Sequence, residues 1–164
     1  MKKIYLAGGC FWGTQHFFSL LNGVISTKAG YANGTIENPT YEQVCSKKYK
    51  FAETVEVEYD ETQLSLTKLL KKFFVTIDPT SLNKQGGDVG IQYRTGIYYI
   101  DEESKKIAKE ELFNLQKKYD KKIQIELKKL ENFYLAEDYH QDYLEKNPTG
   151  YCHIPKNLFD KVNM

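Results

Sequence analysis

The chain has 164 residues, 41% hydrophobic and 14% aromatic, enough apolar content to build the core of a single domain spanning residues 1–164. Lys plus Arg number 23 against 22 for Asp plus Glu, so a net charge of +1 supplies no strong field for gathering nucleic acid or an anionic membrane surface. Three cysteines without a CxxC pair, and only His16, His140 and His153 beside them, argue for thiol chemistry in a reducing compartment over a disulfide framework or a zinc site.

The opening "MKKIYLAGG" has too short an apolar run for a signal peptide or a spanning helix, and the expectation is a cytoplasmic chain. "KIYLA" predicts a first strand, the glycines turn the chain, and "WGTQHFFSLL" has helical spacing, so Cys10 falls at a strand-to-helix junction. "GVISTKAGY" predicts a second strand before the turn-rich "ANGTIENPT". From Glu53 to Tyr59 the residues alternate: Glu53, Val55, Val57 and Tyr59 share an inward face, with Thr54, Glu56 and Glu58 on the other. "SLTKLLKKFF" carries one apolar helical stripe with Ser65 as its N-cap, ending near Ile77. "SLNKQGGDVGIQ" predicts a surface loop and "TGIYYI" a strand. "DEESKKIAKEELFNLQKKY" predicts a long helix, acidic in its first turn and basic in its last. A strand at "KIQIEL", a short helix near "AEDYHQDYLEK" and a long irregular C-terminal tail complete the chain. The order predicts an α/β fold, a two-layer sandwich of mixed β-sheet flanked by helices.

Cys10 is the leading chemical candidate, because a helix start offers free N–H groups and partial positive charge that favour thiolate; the alternative is a buried cysteine acting as a small hydrophobe. Glu53 on an inward strand face would lose hydration and hold its proton near neutral pH, the property of a general acid. A strand-end carboxylate turned to solvent or paired with a lysine is the competing reading. Phe11 and Trp12 could line an apolar pocket beside the sulfur or serve the core. Cys45 reads as structural, whereas Cys152 lies in a Gly- and Pro-flanked tail whose mobility would let it visit another sulfur.

Five stretches in register, "GGCFWG", "GYANGTIENPTYEQVC", "FAETVEVEYD", "DPTSLNKQGGDVGIQYRTGIYY" and "ENFYLAEDYHQDYLEKNPTGYCHI", resemble the A class of peptide-methionine sulfoxide reductases from Tyr5 to Ile154. The resemblance implies reduction of the S epimer of methionine sulfoxide, free or in proteins. It implies Cys10 as nucleophile, Phe11 and Trp12 as the methyl pocket, and Glu53 as acid. Tyr41 and Tyr93 would hold the sulfoxide oxygen, with Asp88 as a supporting carboxylate. Cys152, in "GYC", would condense with a Cys10 sulfenic acid, and the disulfide would be reduced by thioredoxin, with no metal or bound cofactor. A monomer would suit an enzyme that admits protein substrates.

The chain departs from the family's pattern at Gln15, where GCFWG-x-E is common, at Phe51 in "FAE" for "HAE", and at Leu135 in place of proline. Two rivals stay open at this level. One is a cysteine hydrolase using His140 or His153 as base, and the other a non-catalytic binder of oxidised-methionine segments.

Overall fold

The computed structural model describes residues 1–164. In chain order its elements begin with β1 (Lys2–Ala7), α1 (Phe11–Ser19), β2 (Val24–Ala32), α2 (Tyr41–Cys45), β3 (Ala52–Tyr59) and α3 (Leu66–Phe74). The two-residue strands β4 (Lys84–Gln85) and β5 (Asp88–Val89) follow, then a 3₁₀ turn at Ile91–Tyr93, β6 (Gly96–Tyr99) and α4 (Glu102–Gln116). β7 (Glu126–Lys129), β8 (Phe133–Leu135), a 3₁₀ turn at Asp138–His140, α5 (Tyr143–Lys146) and α6 (Lys156–Asp160) close the chain. Six strands form one sheet in the order β7-β6-β1-β3-β2-β8. Only β6 and β7 run parallel, so the sheet is mixed, as the element order predicts.

One face carries Ile4, Leu6, Ala29, Tyr31, Val55, Val57 and Ile97, which share the main core with apolar residues of α1, α3 and α4. α3 shows why a helix seats there: Leu66, Leu69, Leu70 and Phe73 are buried on one stripe, and Ser65 caps its start by accepting from the Lys68 N–H. The other face of β3, which carries Thr54 and Glu56 as the alternation predicts, is covered too. Tyr5, Ala7, Ala32, Ala52 and Tyr98 form a second cluster with Leu130 of the β7–β8 connection and Phe133 of β8. Under that cover Thr54 is fully buried and Glu56 is 8% exposed, accepting from the Tyr5 hydroxyl at 2.8 Å.

Other expectations shift. The α3 helix stops at Phe74, short of Ile77, and α4 ends at Gln116 with its lysines just beyond, so no basic residue sits in its last turn. The strand expected at "KIQIEL" pairs only from Glu126, because the Gln124 N–H is taken by the Pro79 carbonyl at 2.6 Å. The "SLNKQGGDVGIQ" loop contains the β4–β5 hairpin and buries Gln85, which bonds the Asp78 backbone and the Thr95 hydroxyl. The tail ends in α6 and buries Ile154 and Val162, so it packs on the body. No helix is long and apolar enough to cross a membrane.

Candidate active site

The site lies where β1 hands over to α1. Gly9 has φ +85°, a conformation that glycine adopts freely, and Cys10 follows as the N-cap of α1 with extended dihedrals. Cys10 is 8% exposed and its thiol is held well above its ordinary pKa, by burial first and then by the nearby Glu53. The Trp12 backbone N–H, supplied by the helix start, pulls the other way and is outweighed. The thiolate expected at a helix start is therefore not the resting form. Desolvation of the charge exceeds what the terminus of a nine-residue helix returns.

β3 presents Glu53 on the inward face that the alternation predicts, opposite Tyr31 of β2. Glu53 is 1% exposed, and its Oε1 accepts from the Phe11 N–H at 3.2 Å, on the turn that follows Cys10. Burial pushes its pKa up to about 8; the Phe11 hydrogen bond opposes this and Asp88 adds to it. At neutral pH this is a carboxylic acid with one oxygen anchored and a proton to give.

Tyr41 opens α2, whose start is fixed by a capping box: Thr40 Oγ1 accepts from the Gln43 N–H at 3.2 Å, and Gln43 Oε1 accepts from the Thr40 N–H at 2.9 Å. Tyr93 ends the 3₁₀ turn after β5. Both phenols are half-buried and held as neutral hydroxyls, by burial first; the Cys45 thiol and Glu53 add to this at Tyr41, and Glu53, Asp88 and Cys10 at Tyr93. The structure thus brings Cys10, Glu53, Tyr41, Tyr93 and Asp88 into one electrostatic neighbourhood. Cys45 stands in it as well, one helical turn from Tyr41. Asp88 is held above its ordinary pKa by burial, against a hydrogen bond from Tyr151, and its Oδ2 is buried without a protein partner.

Phe11 is buried, while Trp12 is half-buried. The indole stacks on Tyr143 at 3.7 Å between centroids and donates its Nε1–H to His140 Nδ1 at 3.0 Å. His140 is 2% exposed, its ring packs near Phe11 and Tyr41, and burial holds its pKa below the ordinary value. It is committed to the tryptophan, which removes it as the base of a hydrolase. Gln15, where the family pattern has an acid, is 1% exposed, and its amide bridges the Thr27 carbonyl, Gln141 and the Asp142 N–H. A neutral amide with both donors and acceptors thus joins α1 to β2 and the tail. Phe51 is buried, edge-on to Tyr134.

The tail brings Cys152 to the same place without a long excursion. Its sulfur rests on α1 at Gly13, where an added Cβ would stand 2.8 Å from Sγ, and a charge on it would oppose ionisation of Cys10. Tyr151 accepts from the Gly87 N–H at 3.3 Å, and the His153 ring lies against Gly9, with both nitrogens buried and unpartnered. Burial takes His153 down to about 4, so it is neutral. Sequence reading missed Glu137, His140 as a tryptophan anchor and Tyr143. All three sit in "AEDYHQDY", where a 3.6-residue period sees only a short helix.

A family model described as peptide methionine sulfoxide reductase matches residues 2–163. The peptide methionine sulfoxide reductase MsrA of Lachnoclostridium phytofermentans is 62% identical over 161 residues, covering 98% of this chain and 97% of its own. Among solved structures, reduced Mxr1 from Saccharomyces cerevisiae superposes with a TM-score of 0.88 at 39% identity, over 92% of this chain and 88% of that one. The same protein in complex with Trx2 gives 0.62 at 28% identity, over 87% and 84%. Matched over nearly its whole length, with a buried thiol and a neutral carboxyl meeting at the first helix, the chain belongs to the peptide methionine sulfoxide reductase family.

Proposed function

We propose that the chain reduces the S epimer of methionine sulfoxide, free or in proteins, through Cys10, with Glu53 as acid, Tyr41 and Tyr93 on the sulfoxide oxygen, Asp88 in support and Phe11 and Trp12 around the methyl group. The observation that carries the reading is Glu53: a fully buried carboxyl, neutral at pH 7, anchored through Oε1 to the residue after the thiol. A sulfoxide oxygen leaves sulfur only when protonated, and a buried acid still protonated at pH 7 is suited to supply that proton.

In the first step the Cys10 sulfur bonds to the sulfoxide sulfur while the thiol proton reaches the oxygen through Glu53; the oxygen then passes to the Cys10 sulfur as the new S–S bond and the original S–O bond break, giving methionine and a Cys10 sulfenic acid. The Cys152 sulfur then displaces hydroxide from that sulfenic acid; with the Cys152 proton this leaves as water and a Cys10–Cys152 disulfide remains. Thioredoxin supplies two electrons and two protons to restore both thiols, a partner supported by the relative solved with Trx2. The protein thiols and this external reductant complete the cycle without a bound cofactor. A cytoplasmic setting is supported by an odd number of cysteines, which suits thiol chemistry in a reducing compartment, and a monomer by the need to admit protein substrates.

Thiol titration before and after one equivalent of methionine S-sulfoxide tests the reading. The wild type should lose two of its three thiols and release one methionine. Cys10→Ser should lose none, and Cys152→Ser should release one methionine but fail to cycle with thioredoxin. Three thiols retained by the wild type would leave only a binder, and full cycling by Cys152→Ser would remove its resolving role.

A further inference from the structure

Three hydroxyl or amide donors from three parts of the chain converge on one carboxylate outside the set above. Glu137 Oε1 accepts from the Tyr31 hydroxyl at 2.8 Å, and Oε2 accepts from the Tyr41 N–H at 3.1 Å and the Tyr139 hydroxyl at 3.4 Å. Tyr31 is fully buried on β2 opposite Glu53, Tyr41 is the first residue of α2, and Tyr139 lies in the 3₁₀ turn whose His140 holds Trp12. We propose that Glu137 is a positioning residue for the reduction: it fixes the backbone at Tyr41 and so sets where the Tyr41 hydroxyl stands over the sulfoxide oxygen. The proposal rests on the reading of Tyr41 as an oxygen-holding group.

The reason is local. The first N–H of a helix has no intrahelical acceptor, and five residues hold themselves in helical form only weakly. A carboxylate on that N–H makes a charge-assisted bond, stronger than a neutral one, and its other oxygen is bonded to Tyr31, fully buried in the sheet. Burial opposes ionisation of Glu137, but hydrogen bonds from its own backbone, Tyr31 and Tyr41 outweigh it, so this carboxyl stays charged while Glu53 stays neutral. A small displacement of a group that stabilises developing charge on oxygen lowers the rate more than the affinity.

The test measures single-turnover methionine formation, substrate Kd and melting temperature for the reduced wild type, Glu137→Gln, Glu137→Ala, Tyr41→Phe, Tyr31→Phe and the Glu137→Gln/Tyr41→Phe pair. Glu137→Gln should slow the turnover by roughly three- to tenfold and Glu137→Ala by roughly ten- to a hundredfold, with Kd within about threefold. On the Tyr41→Phe background the glutamine substitution should cost less than about twofold, because the hydroxyl it positions is already gone. Effects that multiply overturn the proposal, as does a Tyr31→Phe variant that reproduces the whole loss. A Tyr41→Phe rate equal to wild type overturns both the proposal and the role of Tyr41, whereas multiplying effects leave that role standing. If the alanine variant fails to fold, the glutamine variant at near wild-type melting temperature decides.

Discussion

Replacing Glu53 by glutamine separates the acid from the fold that holds it. The carboxyl is 1% exposed, and burial shifts its pKa from 4.5 to about 8, with Asp88 adding to the shift and the Phe11 N–H opposing it. A group with a raised folded pKa binds its proton more tightly in the native state. Its contribution to stability is full below about pH 4.5 and is lost as pH rises to about 8. At about 1.4 kcal/mol per pKa unit, going from about pH 5 to about pH 8 should remove about 3 kcal/mol through this one group. Glutamine has no proton to lose, so the stability gap between variant and wild type should move by about 3 kcal/mol in the variant's favour over the same interval. Comparing the gap at two pH values cancels constant effects, such as a second amide donor left without an acceptor. Urea unfolding of both proteins at fixed ionic strength gives the number. Single-turnover assays on the same samples should show the variant slower by roughly two to four orders of magnitude. A gap that does not change with pH would mean that Glu53 is ionised in the fold at neutral pH, and the acid role would fall with it.

Two further outcomes rest on contacts around the reacting groups. Gly13→Ala places a Cβ 2.8 Å from the Cys152 sulfur and 3.3 Å from Ile154 Cδ1, so it should slow disulfide formation by about tenfold or more while leaving methionine release unchanged. Trapping the accumulated sulfenic acid with a dimedone-type reagent checks it, and an unchanged disulfide rate would mean that Cys152 reacts from another position. Thr40→Ala removes the Gln43 N–H acceptor in the capping box of α2 and should cost ~1 kcal/mol in urea unfolding, with Thr40→Ser restoring most of it.

How much of this was legible in the sequence depends on the distance over which each feature is decided. Glu53 was readable because strand alternation is local: once Val55, Val57 and Tyr59 face the core, a residue two positions earlier must join them. The burial of Thr54 and Glu56 was not, because their cover comes from Leu130 and Phe133, far along the chain. The start of β7 was misplaced for a similar reason: "KIQIEL" alternates as a strand should, but the Pro79 carbonyl claims its Gln124 amide before the sheet can. The capping box at Thr40 and Gln43 follows the T-x-x-Q spacing and could have been read from the sequence, and with it a helix start at Tyr41. Glu137 had no such signal, since its partners at positions 31, 41 and 139 become neighbours only when β2, α2 and the tail are assembled.

The reading that failed for a physical reason is the thiolate, and its failure sharpens the chemistry. A helix terminus stabilises an anion that it can reach while water still solvates the rest; at Cys10 the fold has taken that water away and set Glu53 beside the sulfur. Burial and Glu53 make ionisation of Cys10 harder, and burial and Asp88 do the same for Glu53, so in the resting protein both protons stay in place. That arrangement guards the sulfur, since a thiol is far less open to stray oxidants than a thiolate. In the proposed cycle it also leaves the enzyme holding what the reaction consumes: the sulfoxide oxygen needs a proton, the sulfur must give one up, and Glu53 would pass it between them with no net uptake from solvent. In that cycle the substrate itself is the trigger, because its oxygen draws the Glu53 proton forward and frees that carboxylate to take the proton from Cys10.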